Sequence, residues 1–130
     1  IKALSAWKNE LCYDNLADFM DSLSPGFNLL ISENVYLHLF IGDIKDFIPL
    51  VPTGIDTWFL DGFAPSSNPE MWDEQIFDTM KRTAKIGTSF ATFTSAGFIK
   101  RALAERGFLI ERVKGYGRKR HMLRGIFKDD

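Results

Sequence analysis

The sequence predicts an α/β fold, a mostly parallel sheet whose last two strands close as an antiparallel hairpin. Three observations predict it. From residue 56 the pattern runs strand, helix, strand, helix, strand, turn, strand. Strands separated by helices pair parallel through right-handed crossovers, whereas strands joined by a short turn run antiparallel. The stretch Thr57-Trp58-Phe59-Leu60 is apolar, aromatic and free of breakers, which predicts a strand buried on both faces. It stops at Asp61-Gly62, and the carboxyl end of such a strand is where open α/β sheets collect ligand groups. Finally, 130 residues with 45% hydrophobic and 25% charged side chains suffice for one globular domain with one core.

The same totals exclude several classes. A net charge of −1 advertises no polyanionic partner for the chain as a whole, so any nucleic-acid footprint is expected to be local. The single cysteine, Cys12, excludes an internal disulfide and a cysteine-rich zinc site, and fits a reducing cytoplasm. No apolar run reaches membrane-spanning length, and no signal peptide is expected. The opening Ile1-Lys2-Ala3-Leu4 reads like the middle of a helix without an initiator Met, so a partial domain is expected.

In chain order, Leu4, Trp7 and Leu11, then Leu16, Phe19, Met20 and Leu23, fall at helical spacing, with Asp14-Asn15 dividing two short helices. Cys12 lies among them as a small core residue, and Ser24-Pro25-Gly26 ends the segment. Strands over 28–32 and 35–42 flank Glu33-Asn34, a hairpin turn. His38, without His, Cys or carboxylate neighbours at ligand spacing, reads as structural, and no metal site is expected. Asp43 follows the second strand, either as a ligand group or as the cap of a short helix over 44–50. After Asn68-Pro69, an N-cap and first-turn pair, Trp72, Ile76, Phe77, Met80 and Ala84 mark one face of a helix of about four turns. A strand over 87–94 follows, then a helix to Arg106 with Gly107 as its stop. Strands over 108–113 and 121–127 enclose the turn Lys114-Gly115-Tyr116-Gly117.

Three features carry chemistry. Asp43 and Asp61 end two strands that could neighbour each other, and a carboxylate there accepts hydrogen bonds from ribose, an adenine amine or an ammonium group. Phe63-Ala64-Pro65 sets an aromatic ring and a rigid backbone beside Asp61, suited to a flipped-out base or a cationic amine. The alternative is a loop packed onto the core, and for Trp72, on the apolar stripe, core packing is the reading. The segment 112–124 gathers Lys114, Arg118, Lys119, Arg120 and Arg124 around Tyr116 and two glycines, with no acid. It suits a phosphate backbone with Tyr116 free to stack; the alternative is a solvated hairpin tip.

Together, D-T-W-F-L-D-G-F-A-P-S-S-N-P-E-M-W, A-T-F-T-S-A-G-F-I-K-R-A-L and K-G-Y-G-R-K-R-H-M resemble the methyltransferase domain of the bacterial tRNA 5-methylaminomethyl-2-thiouridine biosynthesis bifunctional protein family. The resemblance runs from about Gly42 to Phe127 and implies a Rossmann-like fold that uses S-adenosylmethionine. It also implies N-methylation of an aminomethyl group on the wobble uridine of tRNA, with an FAD-dependent oxidase domain in the full-length protein. It implies that Asp43 sits at the adenosine end of the cofactor and that Ile44 also binds the cofactor. Asp61 would then be the catalytic residue at the methyl-transfer end, with Gly62 and Phe63 on the cofactor. Phe63, Ala64 and Pro65, and from the basic segment Lys114, Tyr116, Arg118, Lys119 and Arg120, would lie on the substrate side. The family's glycine-rich cofactor loop, the acid that takes the ribose hydroxyls and the FAD domain have no counterpart in 1–130. The expectation is therefore the C-terminal part of a methyltransferase domain.

An amine attacks a methyl donor only when neutral, so the site must orient the free lone pair and take up the proton lost. Asp61 is assigned positioning first and proton acceptance second; methyl transfer needs no metal. Two other readings fit part of the pattern: an adenine amino-methyltransferase acting on nucleic acid, and a non-catalytic RNA-binding module that needs only the basic hairpin.

Overall fold

The computed structural model describes residues 27–40 and 42–128. The chain divides into two compact units, Ile1–Asp43 and Ile44–Asp130. The helices expected over 4–23, Cys12 and the turn at 24–26 lie outside the described residues. In the first unit, β1 (Phe27–Ser32) and β2 (Val35–Leu39) form an antiparallel pair in which Phe27 faces Leu39. Asn34 turns the chain at φ 66°, in the left-handed region that asparagine tolerates better than most residues. The second strand ends at Leu39, three residues short of the expected Gly42.

The second unit begins with a short helix, α1 (Ile44–Phe47), and a 3₁₀ turn over Ile48–Leu50. Then come β3 (Ile55–Leu60), a 3₁₀ turn over Pro69–Trp72, and α2 (Glu74–Thr83). The chain continues through β4 (Ala84–Thr92), α3 (Gly97–Ala104), β5 (Phe108–Lys114) and β6 (His121–Phe127). The sheet order is β3-β4-β6-β5. β3 pairs parallel with β4, and β6 runs antiparallel to both β4 and β5. Three of the four strands therefore point the same way, and the C-terminal hairpin is antiparallel, as the sequence predicts.

Three expectations need correction. First, among the described residues β3 is the edge strand of its sheet, and β2 pairs in a different sheet. The strands before Asp43 and Asp61 are not hydrogen-bonded neighbours. Secondly, β3 is not buried on both faces. Trp58 and Leu60 pack against the core, whereas Thr57 is exposed and Phe59 is 79% exposed. The cause is one-sided cover: α2 and α3 supply Phe77, Met80, Ile99 and Leu103 to the core beneath Phe90, Phe108, Leu123 and Phe127. The opposite sheet face leaves Phe59, Leu109 and Ile126 exposed. Thirdly, the helix expected from Pro69 is broken. Asp73 is extended (φ −72°, ψ 155°), and its carboxylate accepts a bond from Gln75 N at 3.4 Å, so α2 starts afresh after it. An aspartate three residues before an apolar helical stripe is an N-cap, and it outranked the continuous periodicity.

β4 likewise starts at Ala84, earlier than predicted, because its register slips. Ile55 pairs with Ala84 but Thr57 pairs with Ser89. Gly87 takes φ 90° in the bulge, and the buried Thr88 hydroxyl donates to Ile55 O there. Gly125 permits the closest packing in the sheet, because a side chain there would collide with Leu109 O and the Phe90 ring. Phe90 in turn meets Phe108 edge to face at 5.6 Å.

Arg106, two residues past α3, ties the helices together. Its guanidinium donates to Asp78 and Glu74 on α2 and, at 2.9 Å, to Ala102 O, and it sits 5.7 Å over the Phe77 ring. Burial alone would lower its pKa, but the bonds and charges of Glu74 and Asp78 outweigh that and raise it, so its charge is secure at every working pH. Both carboxylates are largely exposed, so solvent screens the pairs. Arg106→Ala is expected to cost about 1–2 kcal/mol of unfolding free energy, read from urea midpoints at constant slope.

Candidate functional site

The site is built at the carboxyl end of β3. Thr92, closing β4, donates its hydroxyl to Leu60 O at 2.8 Å and so fixes the last residue of β3. Asp61 and Gly62 follow on that fixed end. The loop then turns, with Ser67 N and Asn68 N both donating to Ala64 O at 2.8 and 3.0 Å. Buried Trp72 secures it from below, its indole Nε1 donating to Phe63 O at 2.9 Å. The core role predicted for Trp72 is correct, and it also fixes the loop that carries Phe63. A Cβ added to Gly62 would stand 3.2 Å from Met71 Cε, so the glycine lets the backbone lie down on the 3₁₀ turn. Trp72→Phe keeps the ring but removes the donor. It is expected to cost about 0.5–1.5 kcal/mol of stability, with faster amide exchange confined to residues 61–68. Unchanged exchange there would separate Trp72 from the loop.

Beneath this loop is a cavity of about 180 Å³, bounded by α1, the 48–50 turn, the end of β3 and the start of α2. Ile44, Phe47, Trp58 and Met71 supply apolar and aromatic wall, and Asp61 and Gly62 line it too. Ile44 and Asp61, far apart in sequence, are thus brought to one space. The Trp58 indole nitrogen, part of this wall, is buried without a hydrogen-bond partner among the described residues, and such a donor costs about 1–3 kcal/mol while unpaired. A cavity of this size holds one ring-sized group, since a dry apolar cavity of about 150 Å³ takes a benzene. A larger concavity, about 900 Å³, lies over the uncovered sheet face. Its acid, Glu111, is already paired with Arg124 at 2.7 Å, and it includes neither Asp61 nor Gly62. The smaller cavity is therefore the candidate.

Asp61 itself is exposed at the mouth, as an acid that meets a ligand must be. Phe63 is 72% exposed, Ala64 is exposed and Pro65 half-buried, and none of the three lines the cavity. They follow Asp61 and Gly62 in the same loop. Asp43 belongs to the other unit.

The basic hairpin tip lies at the same end of the sheet. Thr92 pairs with Leu123, Leu123 with Arg112, and Lys114 with His121, so the turn 115–120 projects beyond the strand ends that carry Asp61. Gly115 N donates to Arg120 O at 3.1 Å, and Lys119 N to Tyr116 O at 3.2 Å. Any side chain on Gly115 would strike the Lys119 carbonyl, and Gly117 takes φ 60°. The two glycines thus close a tight tip that turns Tyr116, Arg118, Lys119 and Arg120 out to solvent. None of Lys114, Arg118, Lys119 and Arg120 forms an ion pair among the described residues. Sequence reasoning missed Phe93 and Phe98, which flank the end of β4 and are 46% and 42% exposed. The strand predicted through 94 hid Phe93 as an interior residue.

Comparison with known proteins bears on all of this. A family model described as S-adenosyl-L-methionine-dependent methyltransferase matches residues 8–128. The chain is 44% identical over 130 residues to the tRNA 5-methylaminomethyl-2-thiouridine biosynthesis bifunctional protein MnmC of Ectopseudomonas mendocina, covering 98% of this chain and 20% of that protein. It is 46% identical over 141 residues to the protein of that name in Vibrio vulnificus, with the same coverage. The match in Idiomarina loihiensis is 52% over 109 residues, 79% of this chain and 18% of that protein. The chain thus spans about a fifth of the length of these curated relatives. In fold it is similar to the crystal structure of MNMC2 from Aquifex aeolicus, with a TM-score of 0.68 at 23% identity over 91% of this chain and 38% of that one.

Proposed function

We propose that this chain, which belongs to the S-adenosyl-L-methionine-dependent methyltransferase family, supplies the methyl-transfer end of an enzyme that N-methylates the aminomethyl group on a modified wobble uridine of tRNA. The observation that carries the reading is Asp61. It stands at the carboxyl end of β3, at the mouth of an aromatic-walled cavity, on a loop pinned by Thr92 and Trp72. The names of the relatives point to this tRNA modification, and the substrate step rests on them together with that geometry.

The cavity fits one ring of the cofactor rather than the whole molecule: its walls are apolar and aromatic, an indole donor in them lacks a partner among the described residues, and its volume is about 180 Å³. Ile44, Asp61, Gly62 and Phe63 would hold S-adenosylmethionine from this unit's side. When bound, that cofactor supplies an activated methyl group. The chain's own task is to present the nucleophile. An alkylamine is mostly protonated at neutral pH and its lone pair is then unavailable. The Asp61 carboxylate accepts a hydrogen bond from the amine N–H and so directs the lone pair toward the methyl group. The nitrogen gains a methyl group and sheds one proton, which Asp61 relays to solvent at the open mouth. The uridine ring rests against Phe63, Ala64 and Pro65, and Lys114, Tyr116, Arg118, Lys119 and Arg120 meet the tRNA backbone. FAD would belong to a separate oxidase domain of the full-length protein, and a cytoplasmic location follows from a tRNA substrate.

The test is methylation by the full-length protein of three substrates: tRNA carrying the aminomethyl group, the same tRNA lacking it, and an adenine-rich oligonucleotide. Methyl incorporation into the first alone is the expected result. Incorporation into the oligonucleotide would make the enzyme an adenine methyltransferase, and cofactor-independent tRNA binding without incorporation would make it an RNA-binding module.

A further inference from the structure

We infer that Phe93 and Phe98 form a stacking platform for unpaired bases flanking the target nucleotide, so that the substrate is taken as an opened single-stranded loop rather than as a helix. The inference rests on the reading that this end of the sheet receives RNA. Across the sheet, the strand ends are ordered β3, β4, β6, β5. Asp61 and Phe63 follow β3, Phe93 follows β4, and the cationic tip joins β5 to β6. Phe98 is the second residue of α3, five residues after Phe93. Phe93 thus follows the strand that lies between β3, whose end carries the acid that would meet the amine, and the β6–β5 hairpin, whose tip cations form no ion pair among the described residues and would meet phosphates. Three strand intervals, about 14 Å at 4.8 Å each, separate the two ends of this row.

Exposure of these rings calls for a cause. β4 is interior to its sheet, and Phe90, three residues earlier, is buried in the core. Phe93 and Phe98 are nonetheless close to half exposed at the one end that carries both a cavity and a basic tip. Their apolar faces have no electrostatic reason to attract a duplex, whose bases are stacked inside. Unpaired bases offer free π-faces, and proteins that read single-stranded RNA stack them on aromatic side chains. The cations beside the rings supply the complementary charge for the backbone of the same loop. The occupant is therefore an unpaired RNA segment, held by its bases on β4 and by its phosphates at the hairpin tip.

The experiment measures binding of the full-length protein, with S-adenosylmethionine present, to a labelled RNA hairpin with an open loop and to a blunt RNA duplex of equal length. The variants are F93L/F98L, which keeps apolar bulk and removes the π-face, and Phe98→Tyr, which keeps it. Loss of stacking on even one base weakens binding about fivefold or more. The expected result is such a loss for F93L/F98L on the hairpin, little change on the duplex, and near wild-type affinity for Phe98→Tyr. Thermal melts of each variant separate misfolding from loss of stacking, and Phe98→Tyr remains informative if the double variant does not fold. Equal affinity of F93L/F98L for the hairpin, equal losses on both RNAs, or a Phe98→Tyr variant as weak as the leucine one would each overturn the platform. Wild-type protein that binds neither RNA would instead overturn the tRNA reading on which it rests.

Discussion

Asp61→Asn in the full-length protein is expected to lower the single-turnover rate of methyl transfer by about 10²-fold or more, the lower range for a positioned acid-base group. The substitution keeps the shape of the side chain and one hydrogen-bonding oxygen. It removes the charge that takes up the proton, and it introduces an amide donor that competes for the amine lone pair. Stability should hold, because Asp61 is exposed and the loop is fixed by the Thr92 hydroxyl and the Trp72 indole rather than by the carboxylate. Single turnover at saturating cofactor and tRNA isolates the transfer step from binding and release. A variant within about threefold of wild type, well under the smallest acid-base effect expected, would return Asp61 to the role of a turn residue. The search would then move to Phe63 and the backbone beside it.

How much of this could be read from the chain differs by element, for physical reasons. The order of strands and helices from β3 onward was legible because each element has its own period and Gly or Asp punctuation, as at Asp61-Gly62 and Gly107. The hairpin tip was legible because Gly115 and Gly117 sit where a close approach and a positive φ demand them. The place of β3 was not. An apolar run of four residues looks alike whether helices cover one face or two, and only the placement of α2 and α3 shows Phe59 outside. The break at Asp73 was masked because Trp72 and Ile76 keep helical spacing across it. At the site, Asp61 was visible as a carboxylate at a strand end. The cavity joining it to Ile44 was not visible, because it depends on how the 48–50 turn packs, and Arg82 donates to Ile48 O and Val51 O to set that packing. Sequence spacing carries no signal for such a bond.

Replacing Lys119 and Arg120 together by alanine tests the other end of the row. Both are exposed and free of ion pairs among the described residues, on a tip whose shape is set by backbone bonds and two glycines rather than by these side chains. The tip should therefore keep its form when they are removed, and the change should report charge alone. Every phosphate left without its cation takes about 0.7–0.9 from the slope of log affinity against log salt, so two of them take about 1.4–1.8. At physiological salt this corresponds to about tenfold or more in tRNA affinity, and the deficit should shrink as salt is raised. Calorimetry should find S-adenosylmethionine affinity little changed, since neither side chain lines the cavity beneath Asp61. The contrast with F93L/F98L is what makes the pair informative: loss of stacking leaves the salt slope in place, while loss of these cations lowers it and weakens duplex and loop alike. A double variant with an unaltered slope would make the basic tip a solvated turn and place the RNA elsewhere on the molecule.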